Sequence, residues 1–120
     1  MKVIIAGSRK WKDISAIRGL IIEFEFDHPK ISEIVSGGAD GADLIGEMLA
    51  REKGIPIKRF LPDWGRYGRA AGPMRNEQMA QYAEALLLAW DGISAGSLSM
   101  LKSAQRHNLP VYGSIRSVPL

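Results

Sequence analysis

The stretch VIIAGSR at residues 3–9 joins an apolar run directly to a turn of glycine, serine and arginine. The same change of character recurs at residues 34–43, IVSGGADGAD, and at residues 86–97, LLLAWDGISAGS. Continuous apolar runs are typical of strands that are buried on both faces. A glycine turn between such a strand and a helix directs backbone N–H groups and the positive end of the helix at one point. Three such turns predict a pocket for a phosphorylated ligand.

Strand-like and helix-like patterns alternate along the chain. We predict strands at residues 2–6, 32–36, 56–60, 84–90 and 110–112. Helices are predicted from a cap at Asp13 to Pro29, at 39–53, from Pro73 to about Tyr82, and from a cap at Ser97 to Asn108, with an irregular loop at 61–72 and a loosely held tail at 113–120. The inward-facing residues are expected to be Ile14, Ile17, Ile21 and Phe24 in the first helix, Leu44 and Met48 in the second, and Leu98, Leu101 and Ala104 in the last.

This alternation predicts a single α/β domain over residues 1–120, a three-layer sandwich around a five-stranded parallel sheet. Right-handed crossovers favour the strand order 3-2-1-4-5. In that order the first and fourth strands are neighbours where the winding reverses, and ligands bind beyond the carboxyl ends of strands at such a point. We therefore expect the three glycine turns to converge there.

The composition limits the class of protein. With 120 residues, 46% of them apolar and 24% charged, the chain is long enough to bury one core. The absence of cysteine excludes disulfides and thiolate metal sites, and no other metal or cofactor motif is visible. No apolar stretch approaches the roughly 18 residues of a membrane span, and the N-terminal run is too short for a signal peptide, so we expect a cytoplasmic protein without a membrane partner. The net charge of +3 mildly favours an anionic ligand.

The glycine turns carry the first candidate residues. Arg9 could hold a phosphate through two parallel hydrogen bonds, although a solvated arginine in an ordinary turn is the alternative. The glycines at 37–38 allow a ligand to approach the backbone closely, but the turn has neither the GxGxxG spacing nor the Gly-Lys-Ser/Thr ending of a Walker loop. Asp40, Asp43 and Glu47 follow at helical spacing, where they could bind ribose, hold a metal or act as a base, or simply suit a helix N-terminus.

The segment PDWGRYGRAAGPMRN at residues 62–76 is long for a connection between a strand and a helix, and long loops are often functional. Its aromatic residues Trp64 and Tyr67 could stack on a base, and its arginines could contact phosphates. Arg75 and Asn76 are expected in the first turn of a helix, where a cation opposes the helix dipole unless an anion binds. The alternative is a lid that is packed by its own aromatic residues.

Taken together, these segments resemble the SLOG superfamily, most closely its small stand-alone YspA-like members of phages and bacteria. The resemblance is carried by GSR at 7–9, SGGADGAD at 36–43, DW at 63–64, GRAAGPMRN at 68–76 with Met79, and GS at 96–97. It implies a Rossmann-like sheet that binds a nucleotide or an ADP-ribose-like derivative, as a sensor or a sequestering domain. The ligand-binding residues expected from the motifs are Gly7, Ser8, Arg9, Ser36, Gly37, Gly38, Ala39, Asp43, Trp64, Tyr67, Gly72, Arg75, Asn76, Ser94, Gly96 and Ser97.

The same superfamily includes the Lonely-guy phosphoribohydrolases, which cleave the N-glycosidic bond of nucleoside monophosphates. The resemblance matches Arg75 to their helix-start arginine, whereas their catalytic glutamate falls at Met100. Because a methionine can be neither a general acid nor a stabiliser of an oxocarbenium ion, an enzyme would have to use Asp43 or Glu47 (or Asp91) together with Arg75.

Two further expectations rest on relatives in the same superfamily. A DNA-processing factor binds single strands, so a track of Arg66, Arg69, Lys102 and Arg106 is a second alternative. The Lonely-guy enzymes assemble, so a homo-oligomer is expected by analogy. The two histidines, His28 and His107, are expected to be structural.

Overall fold

The computed structural model describes residues 1–115, which form a three-layer α/β sandwich. Its five strands are β1 (Lys2–Gly7), β2 (Glu33–Ser36), β3 (Ile57–Arg59), β4 (Ala85–Trp90) and β5 (Val111–Ile115). They make one parallel sheet in the order β3-β2-β1-β4-β5. The predicted fold class and strand order are therefore confirmed.

The described residues form five α-helices: α1 (Ile14–Asp27), α2 (Ala42–Lys53), α3 (Trp64–Tyr67), α4 (Ala71–Tyr82) and α5 (Ala95–Arg106). One apolar cluster lies between the sheet and the pair α1 and α2, and a second cluster lies between the sheet and the pair α4 and α5. Among residues 1–115, no helix is both long and apolar enough to cross a membrane.

The continuous apolar run of β1 is explained by this two-sided cover. Val3 and Ile5 pack into the cluster under α1 and α2, whereas Ile4 and Ala6 pack into the cluster under α4 and α5. Successive side chains of a strand point to opposite faces, so a strand buried on both faces needs apolar residues at every position.

The carboxyl ends of β1 and β4 meet closely because residue 7 is glycine. A Cβ atom on Gly7 would lie 1.7 Å from the carbonyl oxygen of Ala89, and its φ of +154° is itself unfavourable for other residues. The next residue, Ser8, donates its N–H to the same carbonyl oxygen at 2.8 Å. This contact lies at the point where the winding of the sheet reverses.

The prediction of an irregular loop at 61–72 is wrong for most of that segment. The Asp63 carboxylate accepts the N–H of Arg66 at 3.1 Å and so caps α3. A single 3₁₀ turn at Gly68–Ala70 follows, and α4 begins at Ala71, two residues before the predicted start at Pro73. As a result Arg75 lies in the second turn of α4 rather than the first, and the argument from the helix dipole is weaker than expected.

The inward faces of three helices also differ from the prediction. Leu44 and Met48 of α2 are exposed, because the helix turns Gly46, Glu47 and Leu49 to the sheet instead. Ile14 at the start of α1 is exposed too, whereas Ile17, Ile21 and Phe24 are buried as predicted.

α5 begins after Ser94 rather than after Ser97. It buries Ser97, Met100, Ser103 and Ala104, and it leaves Leu98 exposed and Leu101 only partly buried. The prediction from hydrophobicity chose the wrong face of α5, because the helix packs against the sheet through small residues and a flexible methionine.

The predicted tail at 113–120 is only partly described. Residues 113–115 belong to β5, which is longer than predicted, and residues 116–120 lie outside the described residues.

Candidate functional site

A cavity of about 640 Å³ opens beyond the carboxyl ends of β1 and β4. All three glycine turns contribute to its wall, as does α4. Its lining residues are Ala6, Gly7, Arg9, Lys10, Ala39, Asp43, Arg75, Asn76, Met79, Asp91, Ile93, Ser94, Gly96, Ser97 and Met100. The volume lies within the range of small-molecule sites.

A second cavity of about 400 Å³ adjoins the first and shares three of its residues, Arg9, Ala39 and Arg75. The other residues of this second cavity are Gly37, Gly38, Asp40, Leu61, Pro62 and Trp64. The two arginines therefore lie where the cavities meet.

Arg75 is held against the turn after β2. Its guanidinium donates to the carbonyl oxygen of Gly37 at 2.7 Å and, through Nε, to Asn76 Oδ1 at 3.0 Å. A Cβ atom on Gly37 would lie 2.4 Å from the guanidinium and 2.8 Å from a carboxylate oxygen of Asp43. Glycine at position 37 thus makes the room in which both charged groups sit.

Asn76 connects this arrangement to α5. Its amide nitrogen donates to the hydroxyl of Ser99 at 3.1 Å and to the carbonyl oxygen of Gly96 at 3.4 Å. Asn76 is itself buried. The orientation of Arg75 is therefore fixed by partners on two sides, the turn after β2 and the first turns of α5.

Asp43 is a buried carboxyl group in the wall of the larger cavity, with only 5% of its surface exposed. It accepts the N–H of Ala39 at 3.1 Å. Burial raises the pKa of Asp43 to about 6, although the hydrogen bond from Ala39 and the charges of Arg75 and Arg9 act in the opposite direction. The group consequently titrates near neutral pH, which is the range useful for moving a proton.

The two arginines differ in their surroundings. Burial lowers the pKa of Arg75 below its ordinary value, opposed by the charge of Asp43 and assisted by that of Arg9. Arg9 is exposed, and within residues 1–115 it makes no hydrogen bond or ion pair. Lys10 beside it lines the same cavity. Arg9 is thus a cation at the cavity wall whose hydrogen-bond donors are available to a ligand.

The N-terminus of α5 forms the opposite wall. Its first intrahelical hydrogen bond runs from the N–H of Leu98 to the carbonyl oxygen of Ser94 at 3.2 Å, so the N–H groups of residues 95–97 lie ahead of the hydrogen-bonded ladder. Ser94 donates its hydroxyl to that of Ser97 at 2.7 Å. N–H groups and a helix dipole in this arrangement favour an anion.

Asp91 shapes the turn before α5. Its carboxylate accepts the N–H groups of Ile93 and Ser94, each at 2.8 Å, and these bonds lower the pKa of Asp91. Its own N–H donates to the hydroxyl oxygen of Ser8 at 2.9 Å. Ser8 is buried and lines neither cavity, so its hydroxyl joins the turn after β1 to the turn after β4.

Ser36 and Glu47 also lie outside both cavities, although both were expected at the site. The Ser36 hydroxyl donates to Glu47 at 2.7 Å and accepts the N–H of Gly38 at 3.0 Å. Arg59 and Arg51 make ion pairs with the fully buried Glu47. Burial acts to raise the pKa of Glu47, but the hydrogen bonds from Arg59 and Ser36 outweigh it and hold the pKa below its usual value. Glu47 is thus committed to joining β2, α2 and β3.

The two aromatic candidates, Trp64 and Tyr67, lie in different places. Trp64 lines the second cavity, and its indole supports Gly72, where a Cβ atom would lie 3.3 Å from the ring. Tyr67 lines neither cavity; the guanidinium of Arg66 lies 5.1 Å from its ring centroid.

The basic residues of the nucleic-acid alternative lie in two groups. Arg66 and Arg69 belong to α3 and the turn after it, whereas Lys102 and Arg106 lie one turn apart on α5. Arg106 pairs with Glu77, which also contacts His107 at 2.5 Å. His28 stacks on Phe24. Binding of single strands stays a prediction.

Four lining residues of the larger cavity were not expected. Lys10 and Ile93 adjoin predicted residues in their turns, a proximity that could have identified them. Ala6 and Met79 supply apolar wall. Ala6 has no sequence signal that separates it from ordinary core residues, whereas Met79 belongs to the motif of the resemblance but had no role assigned to it. Met100, which takes the place of the Lonely-guy glutamate in the resemblance, is buried in the same wall.

The lining of the larger cavity suits an anionic ligand that also carries polar groups. It offers two guanidinium groups, one ammonium group, a helix N-terminus and two carboxylates around apolar wall. Within residues 1–115, no group of three or more histidine, aspartate or glutamate side chains is placed to hold a metal ion.

Comparison with known proteins gives one family and one relative. Residues 1–67 match the family described as YAcAr: YspA, cpYpsA-related SLOG family. The Gene 61 protein of Mycobacterium phage D29 is 33% identical over 116 residues, which cover 92% of this chain and 93% of the relative. No solved structure matches the chain.

Proposed function

Because the chain belongs to the YspA, cpYpsA-related SLOG family, we propose that it binds a phosphorylated nucleotide derivative in the paired cavities, as a sensor or a sequestering domain. The observation that carries the proposal is the convergence of Arg9, Arg75 and the N-terminus of α5 on one cavity. Charge-assisted hydrogen bonds from arginine and free N–H groups at a helix end are two common ways in which proteins hold phosphate.

The paired shape supports an elongated ligand of the ADP-ribose type. A phosphate or pyrophosphate at the shared arginines would leave one part of the ligand in each cavity. The exposed indole of Trp64 in the second cavity offers a stacking surface for a base. A ribose hydroxyl in the larger cavity could donate to the carboxylate of Asp43.

Calorimetric titration tests this proposal with AMP, ADP-ribose, NAD and cyclic ADP-ribose as ligands. Arg9→Ala and Arg75→Ala are each expected to weaken binding at least about tenfold, since a hydrogen bond to a charged group contributes roughly 1.5–3 kcal/mol. Arg9→Ala is the sharper variant, because Arg9 holds no other part of the described chain.

Arg69→Ala is the matched control, since Arg69 is exposed and lines neither cavity. Its affinity should equal that of the wild type. If no member of the panel binds, or if Arg9→Ala and Arg75→Ala bind as tightly as Arg69→Ala, the proposal is wrong.

One observation favours a second candidate, hydrolysis of an N-glycosidic bond. The buried carboxyl of Asp43 lines the cavity and has a pKa of about 6, so it could act as a general acid or base near neutral pH. Mass spectrometry of protein incubated with the same panel would detect a released base. Turnover that survives in Glu47→Gln and disappears in Asp43→Asn would support this candidate; an intact ligand in every incubation would contradict it.

A further inference from the structure

The solvent face of α1 carries a straight stripe of two small residues followed by two exposed large apolar residues. Ser15, Gly19, Ile22 and Phe26 recur at intervals of four, three and four residues, which places them on one line along a helix. Ile22 is 63% exposed and Phe26 is 90% exposed. The opposite side of the same helix supplies Ile17, Ile21 and Phe24 to the core.

The stripe is graded in size. Its N-terminal half is small, Ser15 and Gly19, and its C-terminal half is large, Ile22 and Phe26. A Cβ atom on Gly19 would have no neighbour within 4 Å, so the surface is open at that point. If two copies of the stripe run antiparallel, the large half of each meets the small half of the other.

The charges beside the stripe are graded in the same way. Lys12 and Arg18, the latter paired with Glu52, lie toward its N-terminal end, whereas Glu23 lies toward its C-terminal end. Glu25 and Asp27 also lie toward the C-terminal end, where they accept the N–H of Ile31 and the hydroxyl of Tyr112. Antiparallel pairing brings the basic end of one copy to the acidic end of the other. Parallel pairing would instead bring like charges together and would set Phe26 against Phe26 beside an unfilled gap at Gly19.

The neighbouring helix carries two further exposed apolar residues. The ion pair between Arg18 and Glu52 joins α1 to α2 at 2.8 Å. Leu44 and Met48 are exposed and lie two turns and one turn before Glu52 on the same side of α2. Because α1 and α2 run in the same direction and Glu52 meets Arg18, these two side chains lie beside the start of α1 rather than beside Ile22 and Phe26.

We propose that this face of α1 is a dimer interface in which two copies of the chain pair antiparallel about a two-fold axis. A two-fold interface requires a surface that complements itself, and both the size and the charge of the stripe meet that requirement. None of the residues of α1 lines either cavity, so dimer formation and ligand binding are separate properties.

Light scattering coupled to size exclusion, and sedimentation over a range of protein concentrations, test the stoichiometry. The wild type is expected to be a dimer, and Phe26→Glu should weaken dimerisation at least about thirtyfold, because it replaces the most exposed apolar side chain of the stripe by a charge. Ile93→Ser is the control, because Ile93 is an equally prominent exposed apolar residue away from α1. A wild-type monomer at high concentration, or a dimer that Phe26→Glu does not weaken, would overturn the proposal.

Cross-linking tests the direction of pairing, since the chain has no cysteine of its own. In the antiparallel arrangement Gly19 faces Ile22 of the second copy. The two Cys residues of an Ile22→Cys dimer therefore lie close together and should form a disulfide. The two Cys residues of a Ser15→Cys dimer lie about 16 Å apart along the helix axis and should not form a disulfide. Disulfide formation by both variants would indicate parallel pairing, and formation by neither would indicate another interface; each result would contradict the proposal.

Discussion

Gly37 separates two charged groups, the guanidinium of Arg75 and the carboxylate of Asp43, that a larger residue would displace. Both groups are the ends of side chains, which can move without moving the backbone. We therefore expect Gly37→Ala to fold but to lose ligand affinity at least about tenfold, through the displaced hydrogen-bond donors of Arg75. Calorimetric titration and circular dichroism measure the two properties.

Gly65→Ala provides the comparison, because a Cβ atom at that position would meet nothing closer than 3.8 Å. It should bind as the wild type does. Equal affinity of Gly37→Ala and Gly65→Ala would show that the position of Arg75 does not matter for binding.

Asp43 should make the folded chain less stable as the pH rises. Its pKa is about 6 in the fold and 3.8 ordinarily, so the unfolded chain releases this proton at a lower pH than the folded chain does. Stability from this group is therefore full below about pH 4 and is lost as the pH rises through 6. At about 1.4 kcal/mol for each pKa unit, the loss approaches about 3 kcal/mol at pH 8.

Asp43→Asn removes that loss, since an amide oxygen can still accept the N–H of Ala39. Urea unfolding should find the variant more stable than the wild type at pH 8 and similar to it at pH 4. The exposed Asp40→Asn should change neither value appreciably. An Asp43→Asn variant that is less stable than the wild type at pH 8 would show that the ionised carboxylate stabilises the fold.

The sequence predicted which residues lie in the turns better than it predicted where each of their side chains points. The charged residues Arg9, Asp43 and Arg75 follow from motif and spacing, and all three line the larger cavity. Ser8 and Ser36 belong to the same motifs, yet they bond to Asp91 and Glu47 instead. Their partners lie far away in the sequence, so no local pattern distinguishes a hydroxyl that faces a ligand from one that ties two turns together.

At the scale of elements, Glu47 holds β2, α2 and β3 together. Its buried carboxylate accepts the hydroxyl of Ser36 and pairs with Arg59, which remains half exposed. Glu47→Gln keeps the size of the side chain but removes the charge, and we expect it to lower the free energy of unfolding by about 1–3 kcal/mol. Urea unfolding measures this change.

Glu52→Gln is the matched variant, because its ion pair with Arg18 is half exposed and is screened by solvent, so its loss should matter less. Ligand affinity should be unchanged in both variants, since neither glutamate lines a cavity. A Glu47→Gln variant as stable as Glu52→Gln would show that the charge of Glu47 does not hold these three elements together.

In the helices, the spacing of apolar residues predicted some of the inward faces wrongly. In α2, Leu44 and Met48 suggested one inward face, but the helix instead buries Gly46 against Ile5 and Glu47 among its polar partners. A buried carboxylate is tolerated only when it is paired, and its partners come from β2 and β3. The short helix α3 was missed because a single cap at Asp63, rather than an apolar pattern, sets its start.

For the whole molecule, the order of the strands followed from very little information. Alternating strands and helices require a parallel sheet, and right-handed crossovers leave few ways to arrange five strands. The sheet order and the meeting of β1 with β4 were accordingly predicted without knowledge of any contact. The cavity depends on the same topology, because the reversal of winding is what leaves a space between the turns.

Because the buried carboxyl of Asp43 has a pKa of about 6, a ligand that binds beside it should change how much of this group is protonated. A ribose hydroxyl that donates to this group would favour its ionised form, so binding near pH 6 should release a proton to the buffer. The heat of binding would then vary with the ionisation enthalpy of the buffer, and titrations in two buffers at one pH would count the proton. Uptake instead of release would place a phosphate, rather than a sugar, beside Asp43.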